Sequence, residues 1–288
     1  MTGFGAGWLR LREPYDLRAR NRAVLAAFAA WARRRRRVTL LDLGCGTGST
    51  MRAVAPHLGA DQHWILVDDD RALLDRVAPE LAAWAAGGHG GDPQTGLVAD
   101  GEGHRATVAV EGRNLVAEMP DPAGIDAVTA SALFDLVSPG WADALAARCV
   151  AAGVPLYAAL TFDGRIAWQP GVPLDRTVAR LVARHQRTDK GFGRALGPAA
   201  ADHLTMRFRE AGWTLVHGRS DWWFRPGDAA VQAVLVDDWA AAAAALAPQA
   251  RTALAAWRGR RHDLIKRGRS RLRIGHVDLL ALPPDAAP

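Results

Sequence analysis

Between Leu40 and Thr50 the chain reads LLDLGCGTGST: Asp42 sits near the end of an apolar run, and Gly44, Gly46 and Gly48 follow at alternate positions. Residues without a Cβ let backbone N–H groups approach a ligand closely, and a helix starting near Ser49 would add the positive end of its dipole. Asp68 stands 22 residues past Gly46, at the end of a second apolar run, where its carboxylate can accept hydrogen bonds from two ribose hydroxyls. A glycine turn followed by such an acid is a nucleoside site.

The spacing separates two nucleoside cofactors. A dinucleotide fingerprint needs G-x-G-x-x-G, whereas these glycines run G-x-G-x-G, and Asp42 would repel a pyrophosphate but not a sulfonium cofactor with an ammonium group. Here the sequence resembles the class I S-adenosylmethionine-dependent methyltransferases, whose first motif, (D/E)-x-G-x-G-x-G, is matched by Asp42, Gly44, Gly46 and Gly48. The resemblance covers Val38 to Leu160, and beyond that strand order alone. It implies an α/β fold: a doubly wound, seven-stranded, mostly parallel sheet of the Rossmann-like methyltransferase type, with the last strand antiparallel and helical additions. It also implies S-adenosylmethionine as cofactor. The methionine end is expected near Asp42 and Gly44, with Cys45 and Thr47 along the turn. The ribose is expected on Asp68 beside Asp69, and the adenine near Asn114 and Leu115, where the family often has an acid. Ser131 opens the segment Ser131 to Val137, expected beside the methyl group.

Methyl transfer from a sulfonium is an in-line displacement, so alignment and exclusion of water supply most of the rate and no catalytic residue is obligatory. Asp135 is a candidate base or acceptor anchor, and Phe134 a candidate wall. The segment lacks the (N/D)-P-P-(Y/F) pattern of methyltransferases that modify exocyclic amino groups of bases. In similar methyltransferases the N-terminal segment closes over the cofactor, which makes Arg12, Tyr15 and Arg18 candidates for an anionic group of the acceptor. His185 to Gly197 leaves the carboxyl end of the sheet with Gly191 and Gly193 as hinges. His185, Asp189 and Lys190 are expected to contact the acceptor or order a lid, flanked by Asp163 and Arg165.

Alternating elements must position these residues. Val38–Leu43, His63–Asp68, Ala106–Val110, Ile125–Ser131 and Val154–Leu160 read as strands, with further strands at Trp213–His217 and Leu272–Leu282. Helices are predicted over Ser49–Leu58, over Arg71–Trp84 with a break at Pro79, from Ser138 to Gly153, over Ala199–Ala211, and as a pair over Ala229–Gly268. Ala86 to Arg105 reads as a glycine-rich loop; its His89, His104, Asp92, Asp100 and Glu102 lack metal-ligand spacing. One domain is expected over residues 1–288: a helical cap to Arg37, a cofactor-binding core from Val38 to Leu160, a substrate-side insertion to Gly227, a helical insertion to Ser270, then the last strand and tail.

With 49% hydrophobic and 23% charged residues the chain can bury a full core. The net charge of +6 would suggest nucleic acid, but of 36 basic residues all except Lys190 and Lys266 are arginine, a codon-bias signature alongside the abundant alanine. Arg33–Arg37 reads as a helix end and argues little for nucleic acid. Two cysteines, one inside the glycine turn, fit a reducing cytoplasm, and the run Trp239–Leu246 is too short to span a bilayer. The expected function is methyl transfer to a small-molecule acceptor. An RNA methyltransferase, or a fold-alike that binds the cofactor without transfer, stays open.

Overall fold

The computed structural model describes residues 5–59, 61–85, 97–101 and 104–286. Its elements in chain order are α1 (Ala6–Ala19), α2 (Arg22–Ala32), β1 (Arg37–Leu43), α3 (Ser49–Leu58), β2 (Asp61–Asp68), α4 (Arg71–Leu74), α5 (Val77–Trp84), β3 (Leu97–Gly101), β4 (His104–Gly112) and β5 (Ala127–Ser131). There follow α6 (Pro139–Ala152), β6 (Leu156–Gln169), α7 (Asp175–His185), α8 (Ala200–Glu210), β7 (Thr214–Arg219), β8 (Trp222–Phe224), α9 (Ala229–Leu246), α10 (Arg251–Lys266) and β9 (Arg271–Leu282).

The sheet runs β3-β4-β2-β1-β5-β6-β9-β7, with β8 also paired to β9. β4, β2, β1, β5 and β6 are mutually parallel, and β9 lies antiparallel between β6 and β7. All seven expected strands are present, and β3 and β8 extend the sheet. Parallel strands with apolar residues on both faces require cover on both faces, and two cores supply it. One is built around Phe28, Trp31, Met51 and Trp64, the other around Phe134, Leu145, Phe208 and Trp213.

Several elements differ from expectation. The predicted glycine-rich loop carries β3, which pairs antiparallel with β4 from Leu97↔Val108 to Gly101↔His104. An edge strand needs one partner only, so its sequence signal is weak. His89, Asp92 and Glu102 lie outside the described residues. β6 runs on past Leu160 to Gln169, with register shifts against β9 after Ala158 and Phe162 and Leu160 at φ 54°. The extension and β8 meet α7, α9 and α10 in a third core around Phe162, Trp168, Trp222, Phe224 and Trp257. The helix α7 was not anticipated; its buried Val178 and Val182 stand amid charged residues. α9 is continuous through Asp237 and Asp238 and is long and apolar enough to cross a bilayer, but it packs here through Val231, Leu235, Val236, Ala240 and Ala243. Pro79 falls in the first turn of α5, where its missing N–H costs nothing, so the break comes before it.

The helix expected from Ser138 has its predicted ends. Ser138 Oγ accepts from Trp141 N at 3.3 Å, and Gly153 closes the helix at φ 65°.

Candidate active site

β1, β2 and β5 end on the same side of the sheet, and the glycine turn leaves β1 there. Gly44, Gly46 and Gly48 adopt φ of 63°, 54° and 81°, which a side chain would strain. Backbone bonds pin the turn: Cys45 N donates to Val67 O (3.0 Å) and Gly48 N to Cys45 O (2.8 Å). Asp68 Oδ2 accepts from Gly46 N at 2.8 Å, while its Oδ1 accepts from Asp70 N at 3.0 Å. Burial raises the Asp68 carboxyl above the usual range, against these backbone donors. The buried Arg52 of α3 completes the clasp by donating to Thr47 O at 2.5 Å.

α1 lies across this turn. Leu9, Glu13 and Asp16 recur at helical spacing on its inward face, and Arg20, the residue that caps its end, follows them into the interior. A Cβ on Gly46 would stand 3.0 Å from Leu9 Cδ1. Glu13 binds Arg52 through two bonds of 2.8 and 2.9 Å, and Arg10 reaches Glu80 on α5 at 2.7 Å.

Beneath α1, Asp42 is fully buried. Its Oδ1 accepts from Thr129 Oγ1 at 2.6 Å, but its Oδ2 has no partner. Burial pushes the Asp42 carboxyl up to about 7, although the Thr129 bond and the nearby Arg20 charge favour ionisation. Arg20 donates from Nη2 to Ser131 Oγ at 3.0 Å, and Thr50 Oγ1 meets the same hydroxyl at 3.0 Å. Arg20 Nε and Nη1 are buried and unpartnered. Unpaired buried polar groups are costly, and the buried Tyr157 hydroxyl beside Arg20 is unpartnered as well, so the cluster offers one acceptor and several donors to a further partner. Sequence reasoning named Arg12, Tyr15 and Arg18 and missed Arg20; the 3.6-residue period running from Leu9 was the available signal.

A second group lies past the end of β5. Asp135 is buried with Oδ1 unpartnered, and burial pushes its carboxyl up to about 6, with the charges of Arg12 and Lys190 opposing. Lys190 Nζ lies 3.3 Å from His185 Nδ1. The segment carrying them docks at the carboxyl end of β5, because Leu196 N donates to Val137 O (2.8 Å) and Gly197 N to Asp135 O (3.0 Å). Burial lowers both the Lys190 and His185 pKa values; Asp135 partly restores the lysine, and Lys190 depresses the histidine further. Phe162 packs against His276, whose ring stands 4.7 Å from that of Trp222. His276 Nδ1 is buried and unpartnered, and burial pushes its pKa down to about 3, with Arg12 adding to the effect. Arg12 bonds Asp16 at 2.9 Å, and Asp16 accepts from Trp222 Nε1 at 3.0 Å.

Other expected residues are engaged elsewhere. Tyr15 donates to Asp228 at 2.8 Å and Arg18 lies over the Tyr15 ring at 4.6 Å; both line a cavity of about 470 Å³ on the outer side of α1. Their phase on the helix turns them away from Leu9 and Glu13. Phe134 is a core residue against Trp141. Asn114 Oδ1 caps its own turn through Val116 N and Ala117 N, which occupies the oxygen expected to meet adenine. Leu115 is buried and its carbonyl accepts from Trp141 Nε1 at 2.8 Å; Asp69 is exposed. Asp163 and Asp221 bind Arg165 in an ion-pair network that Arg273 joins. Asp189 Oδ1 accepts from Gly191 N and Gly193 N and so ties its own loop.

A glycine turn at the carboxyl end of a central parallel strand, an acid closing the next strand, and an antiparallel last strand between two others now stand together. This is the Rossmann-like methyltransferase fold. No family model matches the sequence, and no curated protein matches it. Among solved structures the chain is similar to a cyclopropane synthase from Mycobacterium tuberculosis, at 17% identity over 85% of this chain and 78% of that one, with a TM-score of 0.43. It is also similar to an S-adenosylmethionine-dependent methyltransferase from Thiobacillus denitrificans in complex with S-adenosyl-L-homocysteine, at 13% identity over 96% and 98% of the two chains and a TM-score of 0.44. A third is phosphoethanolamine N-methyltransferase 2 from Haemonchus contortus, at 12% identity and a TM-score of 0.47; 98% of this chain aligns with 58% of that one.

Proposed function

We propose that the chain is an S-adenosylmethionine-dependent methyltransferase acting on a small molecule. One observation carries this: the unpartnered Asp42 Oδ2 and Arg20 Nε and Nη1 lie in one buried cluster with Ser131 and Thr50. A lone acceptor and two lone donors complement the ammonium and carboxylate of an amino-acid moiety. Gly44 to Gly48 would take the adjoining nucleoside, and Asp68 would exchange its backbone bonds for ribose hydroxyls. Bound there, the cofactor supplies a methyl group on a positively charged sulfur.

The chain's own work is to align and to exclude water. α1 covers the turn and is held by Glu13 and Arg10. Phe162 and Trp222 wall the acceptor side. Asp135, with its carboxyl pushed up to about 6, is suited to accept a proton on Oδ1 as an acceptor hydroxyl or amine attacks. Lys190 and Arg12 keep that carboxylate available near neutrality.

Calorimetry with S-adenosylmethionine and S-adenosylhomocysteine tests the assignment. Gly46→Val should abolish binding of both while circular dichroism stays that of the wild type, because the side chain strains the turn and meets Leu9. Normal binding by that variant would remove the turn from the site. Asp68→Ala should cost about 1.5–3 kcal/mol of affinity, the value of a charged hydrogen bond.

A further inference from the structure

A cavity of about 520 Å³ opens between α7, the segment after it and the end of α9, lined by Arg180, Arg184, Arg187, Arg194 and Leu246 among others. Its size is that of a small-molecule site. Arg180 and Arg184 come from one face of α7, one turn apart, while Arg187 and Arg194 come from the following segment. Arg180 donates only to Thr177 Oγ1, at 3.4 Å. The side chains of Arg184, Arg187 and Arg194 have no hydrogen-bond or ion-pair partner among the described residues.

Some exposed arginines of this chain find carboxylates, as Arg258 finds Asp237 and Arg71 finds Asp75, while others, Arg267 and Arg269 among them, have no such partner among the described residues. What sets these four apart is that they converge on one concavity. Four guanidinium groups around one concavity repel one another, and among the described residues no carboxylate or backbone carbonyl bonds to them. The end of α7 favours a cation at Arg184, but not at Arg194, which arrives from across the loop. Guanidinium forks match the paired oxygens of phosphates and carboxylates, and several of them around a hollow suit a ligand with more than one such group.

We infer that this cavity is a binding site for a small, multiply charged oxyanion, a phosphorylated or polycarboxylated molecule. Ala183 and Leu246 give the body of such a ligand an apolar surface. Among the described residues no aromatic side chain lines the cavity, unlike the stacking platforms of single-stranded nucleic-acid sites. Arg187 packs its stem where a Cβ on Gly197 would fall, and Gly197 N holds the Asp135 carbonyl. An anion here therefore binds the outer side of the segment whose inner side carries Lys190. The site stands apart from the cofactor and is testable without it.

The test titrates the full chain with inorganic pyrophosphate and, separately, with citrate, by calorimetry at constant ionic strength. Saturable one-to-one binding of at least one probe is expected, weakened about tenfold or more in the Arg184→Ala, Arg187→Ala double variant. Both arginines are exposed, so the variant should keep the wild-type circular dichroism. The Arg267→Ala, Arg269→Ala control removes the same charge from exposed arginines that do not line the cavity, and should bind as wild type. Arg184→Lys, which keeps the charge and loses the fork, should fall between. Binding of pyrophosphate alone would point to a phosphorylated ligand, and of citrate alone to a polycarboxylate. Absence of saturable binding for both probes, or equal weakening by the two double variants, would overturn the site. So would a random single-stranded RNA that displaces pyrophosphate and binds more tightly than it.

Discussion

Glu13 and Arg52 bridge α1 and α3 through two charged hydrogen bonds of 2.8 and 2.9 Å, directly beside the turn that Leu9 covers. This bidentate bridge holds α1 over that turn. Glu13→Ala should therefore speed both association and dissociation of S-adenosylmethionine, measured by stopped-flow tryptophan fluorescence. It should also cost about 1–3 kcal/mol of stability, because the buried Arg52 loses its carboxylate and keeps only Thr47. Unchanged association and dissociation rates would show that the helix is not the gate.

The Asp42 carboxyl titrates at about 7 in the folded chain against an ordinary 3.8. Between those values the folded protein holds a proton that the unfolded chain has released. Stability therefore falls as pH rises through this window and is level above it. Asp42→Asn removes the penalty and should be more stable than wild type at pH 8, by on the order of 2–4 kcal/mol, with the gain shrinking toward pH 5. Denaturant melts at the two pH values measure it. The same variant should lose affinity for the cofactor, and wild-type binding should release a proton near pH 6.5, read as a buffer-dependent calorimetric enthalpy. A variant no more stable at pH 8 would show that the Asp42 carboxyl is not raised in the folded chain.

The glycine turn, Asp68 and the strand order were legible because each follows from a local rule: backbone clearance, strand ends, alternating elements. Asp135 and Lys190 were legible as candidates, since their segments leave the carboxyl end of the sheet. Arg20 and His276 were not. Arg20 meets a residue 111 positions away, and Trp222, whose ring stands 4.7 Å from that of His276, meets one 206 positions away. Tyr15 and Arg18 were named from the resemblance of the N-terminal segment to that of similar methyltransferases, whereas Tyr15 packs on Phe224 and bonds Asp228, with Arg18 over its ring, away from the Gly46 side of α1. Asn114 was given a ligand role on residue type, whereas its side chain satisfies its own turn, the commonest use of an asparagine in a loop.

His276 is held neutral, with its pKa pushed down to about 3 from 6.5. Its contribution to stability is fully present above about pH 6.5 and is lost as pH falls from there toward about 3, because the unfolded chain takes up the proton first. His276→Gln keeps a neutral polar group without the titration. The stability difference between variant and wild type should shift in the variant's favour by about 1.4 kcal/mol per pH unit below 6. Urea melts from pH 7 to pH 5 read the slope. A constant difference across that range would show that His276 is exposed to protonation in the folded state.

Lys190 and Asp135 face each other across the docked segment, and each shifts the other toward its charged form. Removing the ammonium should raise the Asp135 carboxyl further above 6, which is visible by carboxylate NMR without any acceptor. Lys190→Arg should return it toward the wild-type position, since charge is the property that matters for titration. Once an acceptor is in hand, Lys190→Ala should lower kcat/KM about tenfold at neutral pH, equivalent to about 1.4 kcal/mol. The ascending limb of its pH profile should move to higher pH, and cofactor affinity should stay within about twofold. Rescue of both the carboxyl titration and the limb by arginine separates an electrostatic role from loop packing, which the bulkier fork would not restore. An unmoved Asp135 titration in Lys190→Ala would mean that the lysine acts on something other than this carboxylate.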